Sequence, residues 1–305
     1  MMPARAVKRE NGYIIIPRLV SQEKIDRYAR RFKELCETPS LRPLTMTVMR
    51  DVALAKAGVS QNSEATITKL QDWQDDAVLS EYTHDAAILD YVEAWTGPRI
   101  VATHTMLINK PTDPGKGSSR HPLHQDMLYF PWGDTNKTVC SWTAMEKITR
   151  DNGCLIAVPG SHKTEILGHG YPDWDGGANK SYVGILGVTP DVKYVHLPME
   201  AGDTIFFHPL LFHGSGRNQT PRFRKAISCH FASGDSRFIN VAGTIQEDIE
   251  LETIDIALTL AKRDPHSNIK HLHRTMTRSD FHHHVWATKS RAVRGGQMIL
   301  PCVKP

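Results

Sequence analysis

The apolar positions of this chain follow a helical spacing towards each end and a strand-like spacing through the middle. Tyr13-Ile14-Ile15-Ile16 is a short apolar run stopped by Pro17, which predicts a first strand. Ser21 is placed to cap a following helix, because its hydroxyl can accept from a backbone N–H of the first turn. Ile25, Tyr28, Ala29, Phe32, Leu35 and Cys36 then recur on one helical face, a packing stripe. A second helix is predicted around Ala86 to Trp95, ended by Gly97-Pro98. From Arg99 to about Ser233 the pattern becomes short strands punctuated by Gly and Pro. They run Ile100 to Asn109, Val139 to Glu146, Cys154 to Val158, Val192 to Leu197, Thr204 to Phe207 and Lys225 to Phe231. Pro111 to Gly115, Asp151-Asn152-Gly153 and Pro159-Gly160-Ser161 supply breaks and turns. Gln246 to Lys262 returns to helical spacing through Ile249, Ile254, Leu258 and Leu260.

Many short strands at this spacing predict a mainly β fold with flanking helices, a sandwich or jelly roll. No repeat, low-complexity tract or Pro/Gly-rich linker splits the chain. We therefore expect a single domain over 1–305, with its β core at about 99–233. The 305 residues are 40% hydrophobic and 23% charged, enough apolar content for a sizeable core. A net charge of +4 is too mild to predict a nucleic-acid partner and suits an anionic small molecule. No apolar run reaches membrane-spanning length, so no membrane partner is expected. Five widely spaced cysteines, Cys36, Cys140, Cys154, Cys229 and Cys302, without a C-x-x-C, predict reduced thiols.

His124-Gln125-Asp126 carries the candidate chemistry. Side chains alternate along a strand, so His124 and Asp126 fall on one side and Gln125 is turned away. A third ligand must come from a distant strand. The segment Asp203 to Gly216 offers His208, followed by Pro209 and so more suited to a turn, and His213, followed by small residues with room for a ligand. Two histidines and a carboxylate occupy one face of ferrous iron and leave positions open, although the same set also suits zinc. Arg224 opens an apolar strand, where an arginine needs an anionic partner or an exposed position. The far carboxylate of a 2-oxo acid is such a partner, bound bidentately. Together these residues predict Fe(II)/2-oxoglutarate oxygenase chemistry. The absence of H-E-x-x-H and the presence of Arg224 weigh against a zinc hydrolase, and the intact set weighs against a non-catalytic binding protein.

A longer run of text resembles the phytanoyl-CoA dioxygenase family. It includes Thr45 to Val52, Ile67-Thr68-Lys69, Gln71-Asp72, His104 to Pro111, Ser119 to Asp126, Trp142 to Glu146, Asn152 to Leu155, Pro159-Gly160, His213 to Gly216 and Phe223 to Ser233. The resemblance covers about residues 9 to 260. It implies a double-stranded β-helix, or cupin-like jelly roll, with His124, Asp126 and His213 as metal and catalytic residues. It implies that Arg224 holds 2-oxoglutarate, that Lys69, Met106 and Trp142 line the cosubstrate pocket, and that Ser215 assists Arg224. The implied cofactors are Fe(II) and 2-oxoglutarate, with O₂ consumed and ascorbate as supporting reductant. The implied reaction is 2-hydroxylation of a branched-chain, phytanoyl-like acyl-CoA in fatty-acid alpha-oxidation. The alternative is the same chemistry on a small molecule that is not a CoA thioester. Relatives that halogenate carry a small residue where this chain has Asp126, so the carboxylate points to hydroxylation.

For the CoA phosphates, Lys110, Lys116, Arg120, Arg217 and Arg222 are the candidate basic residues near the site loops. The resemblance implies a peroxisomal setting. Met1 to Glu10 lacks an apolar signal core and Cys302 to Pro305 is not of the Ser-Lys-Leu type, so a cytoplasmic location stays open. The segment after Arg263, with His271, His273 and His282-His283-His284, falls outside the resemblance and is expected to be an exposed tail rather than a second metal site.

Overall fold

The computed structural model describes residues 10–51, 62–113, 115, 117, 119–174, 178–188, 191–264 and 266–296. The N-terminal strands are β1 (Tyr13–Ile16), β2 (Thr47–Arg50) and β3 (Ile67–Gln71). The central strands are β4 (Ile100–Lys110), β5 (His121–His124), β6 (Thr138–Ala144), β7 (Leu155–Ala157), β8 (His169–Gly170) and β9 (Gly184–Ile185). They are followed by β10 (Val195–Leu197), β11 (Thr204–Phe207), β12 (His213–Ser215), β13 (Arg224–Ser233) and β14 (Arg291–Arg294). Helices α1 (Gln22–Glu37) and α2 (Ala86–Thr96) precede the central strands; α3 (Glu247–Leu260), α4 (Ile269–Thr275) and α5 (Arg278–Lys289) follow them.

The large sheet runs β1-β11-β6-β13-β4-β3-β2, with β14 also on β4. Facing it is a four-stranded sheet, β10-β7-β12-β5, and β8 pairs with β9. All these pairings are antiparallel. This is the jelly-roll arrangement the strand spacing predicts, with a difference at its edges. β1, β2 and β3 lie before residue 99 and β14 lies after 233, yet all four join the large sheet. Tyr13–Ile16 is the first strand expected, while the apolar runs of β2, β3 and β14 are too short to mark them without their partners.

Ser21 caps α1 by accepting from Lys24 N, as predicted. Ile25, Tyr28, Phe32, Leu35 and Cys36 are buried against the outer face of the large sheet. Fully burying one such large apolar side chain contributes about 1.5–3 kcal/mol. β6 shows why alternation in sequence became burial on both faces. Its Val139 joins the core under α1 and α2, and Ser141 and Thr143 bond Tyr82 Oη on that side. Cys140, Trp142 and Ala144 face the interior between the sheets. Helices cover the face that an open antiparallel sheet would leave to water.

The C-terminal segment is not an exposed tail. His282 and His283 are buried on α5, which packs Phe281 and Val285 against Ile254 of α3. His271 and His273 are exposed on α4. The sequence shows no clean periodicity here because α5 spends polar residues on buried contacts: Trp286 Nε1 donates to His282 Nε2 at 3.0 Å, and His283 Nε2 lies 2.8 Å from Ile239 O. The four described cysteines are free and buried. No described helix is long and apolar enough to cross a membrane.

Candidate active site

A cavity opens between the two sheets, lined by residues of both. Strand alternation explains its lining. On β4 the residues two apart, His104, Met106, Ile108 and Lys110, all face it. Lys69 and Gln71 do so from β3, Cys140 and Trp142 from β6, and Arg224 and His230 from β13. The small sheet contributes His121, His124, His213, Gly214 and Ser215.

β5 and β12 pair with His213 opposite His124. Gly214 makes this approach possible. A Cβ there would lie 2.8 Å from His121 O and 2.9 Å from Pro122 O, both backbone atoms. The small residue after His213 therefore admits the neighbouring strand rather than a ligand. Gln125 has extended backbone (φ −116, ψ 124), so Asp126 points to the same side as His124 although it already begins a 3₁₀ turn. Gln125 itself is fully buried rather than solvent-facing. Its Nε2 donates to Glu165 O (3.0 Å) and Leu210 O (3.2 Å), its Oε1 accepts from Leu167 N (2.8 Å), and its backbone N–H donates to His169 Nε2 (3.1 Å).

One ligand atom each from His124, Asp126 and His213 lie within 4.8 Å of one another. His124 Nδ1 is 2.9 Å from Pro122 O, and His213 Nδ1 is 2.9 Å from Leu211 O. A carbonyl only accepts, so both Nδ1 atoms carry the proton and both Nε2 atoms present lone pairs. These face Asp126 Oδ1, at 3.2 Å from His124 and 3.5 Å from His213. The other carboxylate oxygen, Oδ2, lies 2.7 Å from His230 Nε2. Burial opposes ionisation of Asp126, but the imidazoles of His213 and His230 beside it outweigh that and hold its carboxyl well below the usual range. Burial likewise takes His213 down to about 4, which keeps its ring neutral and its lone pair available. His208 is not among the cavity residues; its Nδ1 accepts from Leu210 N at 3.1 Å, the turn role its following proline suggests.

Arg224 is 2% exposed. Its Nη2 donates to Gly153 O at 3.1 Å, in the turn expected at 151–153, and its guanidinium lies 5.4 Å from the Trp142 ring. Its Nε and Nη1 are buried without a hydrogen-bond partner. An unfilled buried guanidinium is costly unless a partner arrives. Lys110 stands beside it in the β4–β13 register, donating to Ser215 Oγ (2.8 Å) and Gly216 O (2.5 Å). Burial and then the Arg224 charge push Lys110 well below its ordinary value. Lys110 is thus a buried amine engaged within the protein, not the surface base expected for a CoA phosphate. Arg217 and Arg222 are exposed, Arg120 stacks on Trp174 at 3.9 Å, and Lys116 lies outside the described residues. Lys69, 7% exposed, sits 5.0 Å from the Tyr182 ring, and burial lowers it to about 8. It is a buried cation, not a solvated strand-edge charge. Met106 is half-buried and Trp142 buried on the large-sheet wall, and Ser215 is buried on the small sheet.

Several cavity residues escape sequence reading. His230 and His104 face each other across β13 and β4, 5.5 Å apart and stacked. Gln71 Nε2 lies 3.1 Å from His104 Nε2. Tyr182, His121, and residues of α3 and α5 complete the lining. Nothing local marks them; only strand register and the folding-back of the C-terminal helices bring them here.

The family described as Phytanoyl-CoA dioxygenase (PhyH) matches residues 8–226. The peroxisomal phytanoyl-CoA dioxygenase of Rattus norvegicus is 53% identical over 253 residues, 83% of this chain and 74% of that protein. Its Homo sapiens counterpart is 48% identical over 296 residues, 97% of this chain and 83% of that protein. Among solved structures, the epimerase SnoN in complex with Fe3+, alpha ketoglutarate and nogalamycin RO shares the fold. Its TM-score is 0.60 at 19% identity, over 79% of this chain and 86% of that one.

Proposed function

Because the chain belongs to the phytanoyl-CoA dioxygenase family, we propose that it is an Fe(II)- and 2-oxoglutarate-dependent oxygenase that hydroxylates C2 of a branched-chain, phytanoyl-like acyl-CoA. One observation carries this reading. Two imidazole lone pairs and one carboxylate oxygen converge in the same cavity as a buried guanidinium with two unfilled donors. The donor set fits ferrous iron, with one face taken and the other open. His124, Asp126 and His213 would hold the metal. With Oδ2 engaged by His230, Asp126 would offer Oδ1 alone.

Arg224 would bind the far carboxylate of 2-oxoglutarate through its two unfilled donors. Trp142 packs beside the guanidinium. Lys110, fixed by Ser215, stands beside Arg224, and a bound carboxylate would relieve the cost of burying the guanidinium. Lys69 and Met106 line the same pocket. Together, iron, 2-oxoglutarate and O₂ supply the two-electron oxidation that turns C–H into C–OH, with succinate and CO₂ released. The protein positions the carbon and excludes water.

In this reading the cavity takes 2-oxoglutarate and the acyl end of the substrate, beside His124, Asp126, His213 and Arg224. We place the CoA phosphates outside, near Arg120, Arg217 and Arg222. The pairing of β1, β2, β3 and β14 with the central strands supports one domain. The peroxisomal relatives support a peroxisomal setting.

The test is succinate release by Fe(II)-loaded protein with 2-oxoglutarate, O₂ and ascorbate, with and without a 3-methyl-branched acyl-CoA or its free acid. We expect CoA-ester-stimulated succinate, a 2-hydroxyacyl-CoA product, and loss of both in Asp126→Ala. Succinate without hydroxylated ester rules out this substrate. No Asp126-dependent succinate rules out the oxygenase.

A further inference from the structure

The cavity has a wall that lies beyond the family match at residues 8–226. Ile249, Glu252, Thr253 and Ile256 face it from α3, the i, i+3, i+4, i+7 positions of one helical face. Trp286 and Lys289 face it from α5. Glu252, Lys289 and the Trp286 indole on this wall are already engaged within the protein. Glu252 accepts from Tyr171 Oη (2.6 Å) and Ser181 Oγ (3.0 Å), Lys289 Nζ bonds Asp72 Oδ2 (2.9 Å), and Trp286 Nε1 donates to His282 (3.0 Å). The other residues of this wall are Ile249, Thr253 and Ile256, beside the Trp286 ring. The polar groups of the lining come from other elements, with His124, Asp126, His213, Arg224 and Lys69.

The wall is also held at a set distance from the donor triad. Gln246, just before α3, is 6% exposed. Its Nε2 donates to Met127 O (2.9 Å), Leu128 O (3.3 Å) and Phe130 O (2.9 Å), the carbonyls of the turn that begins with Asp126. Arg278 of α5 bonds Glu247 and Glu250 of α3, tying the two helices together. Helix and metal turn therefore form one frame, so the size of a side chain on α3 sets the clearance above the triad.

Resting on the function proposed above, we infer that α3 and α5 form the acyl-chain subsite, and that Ile249, Thr253, Ile256 and Trp286 set which chain reaches the triad. An apolar chain buried against this face leaves water, while its thioester end stays by the polar groups. Residues that touch only the chain discriminate between substrates without altering the metal.

The experiment compares wild type, Ile256→Trp, Ile256→Ala and Thr253→Leu on 3-methyl-branched acyl-CoAs of increasing length and one short straight-chain acyl-CoA. It measures kcat/KM and succinate formed per hydroxylated product. The visible absorption of anaerobic Fe(II) protein on adding 2-oxoglutarate reports an intact triad independently of substrate. We expect Ile256→Trp and Thr253→Leu to lose roughly tenfold or more in kcat/KM on the longest branched substrate relative to the short one. Surplus succinate should accompany that loss, and Ile256→Ala should shift preference to longer chains. If Ile256→Trp loses the absorption band, Thr253→Leu carries the comparison. Equal losses on all substrates, or an unchanged length profile in variants that keep the band, overturn the inference. Wild-type protein that gives no acyl-CoA-stimulated succinate overturns the underlying function instead, and the subsite with it, before any variant is made.

Discussion

Arg224 reaches the cavity with two donors unfilled, and its neighbours cannot fill them. Gly153 O occupies one Nη2 position and the Trp142 ring lies beside the guanidinium. The planar fork matches a carboxylate, which a lysine ammonium does not. Arg224→Lys should therefore raise the KM for 2-oxoglutarate by roughly tenfold. Arg224→Ala should raise it by about a hundredfold, within the 2–5 kcal/mol cost of truncating one partner of a buried charge pair. Steady-state kinetics at saturating acyl-CoA checks both, and an unchanged KM in the alanine variant removes Arg224 from the cosubstrate site. Two other side chains correct simple expectations for the same reason. Gln125 and Lys110 both have side chains that are costly to bury, yet both are fully engaged inside, because partners from distant loops meet their donors.

The helices after β13 behave as structure, not appendage. α5 inserts His282 between Glu250 of α3, 3.6 Å from its Nδ1, and Trp286 at the cavity. Burial, with His283, Lys289 and Arg278 adding to it, takes His282 down to about 3. In the unfolded chain a histidine takes up its proton below about 6.5. Between those values the unfolded state binds more protons than the folded one, so stability drops as pH falls through that window. Other buried histidines, among them His213, add to the same slope. Urea midpoints of metal-free protein from about pH 7 to about pH 4 should fall less steeply in His282→Gln than in wild type. Identical slopes would show that His282 carries its proton in the folded state.

Across the molecule, the two sheets and the C-terminal helices enclose a cavity whose cations and lone pairs await partners. Ligands that bind only the folded state stabilise it by mass action, about 2.7 kcal/mol at a hundred times Kd. Anaerobic Fe(II) plus 2-oxoglutarate should therefore raise the melting temperature by several degrees. In Asp126→Ala the iron-dependent part should vanish. In Arg224→Ala the additional part due to 2-oxoglutarate should shrink while the iron part persists. A shift that survives Asp126→Ala would place the metal elsewhere.

Local pattern was enough for α1, α2 and α3, for strands β4, β6, β11 and β13, and for the His124/Asp126 pair, because helical and strand periods and the capping of Ser21 act over a few residues. The family resemblance was legible too, since its motifs are contiguous text. His213 was a candidate beside His208, and the resemblance selected it, but the pairings that bring such residues together were not legible. His213 lies opposite His124, and His230 opposite His104, through strand registers that no neighbouring residue specifies. Gly214 faces a backbone that arrives from another part of the chain. The apolar wall on α3 and α5 became part of the cavity only when Gln246 and Arg278 secured those helices over the Asp126 turn. Residue type and short-range spacing limit the chemistry, while long-range pairing decides which side chains share a cavity, because contact energies depend on distances in space that local periodicity does not encode.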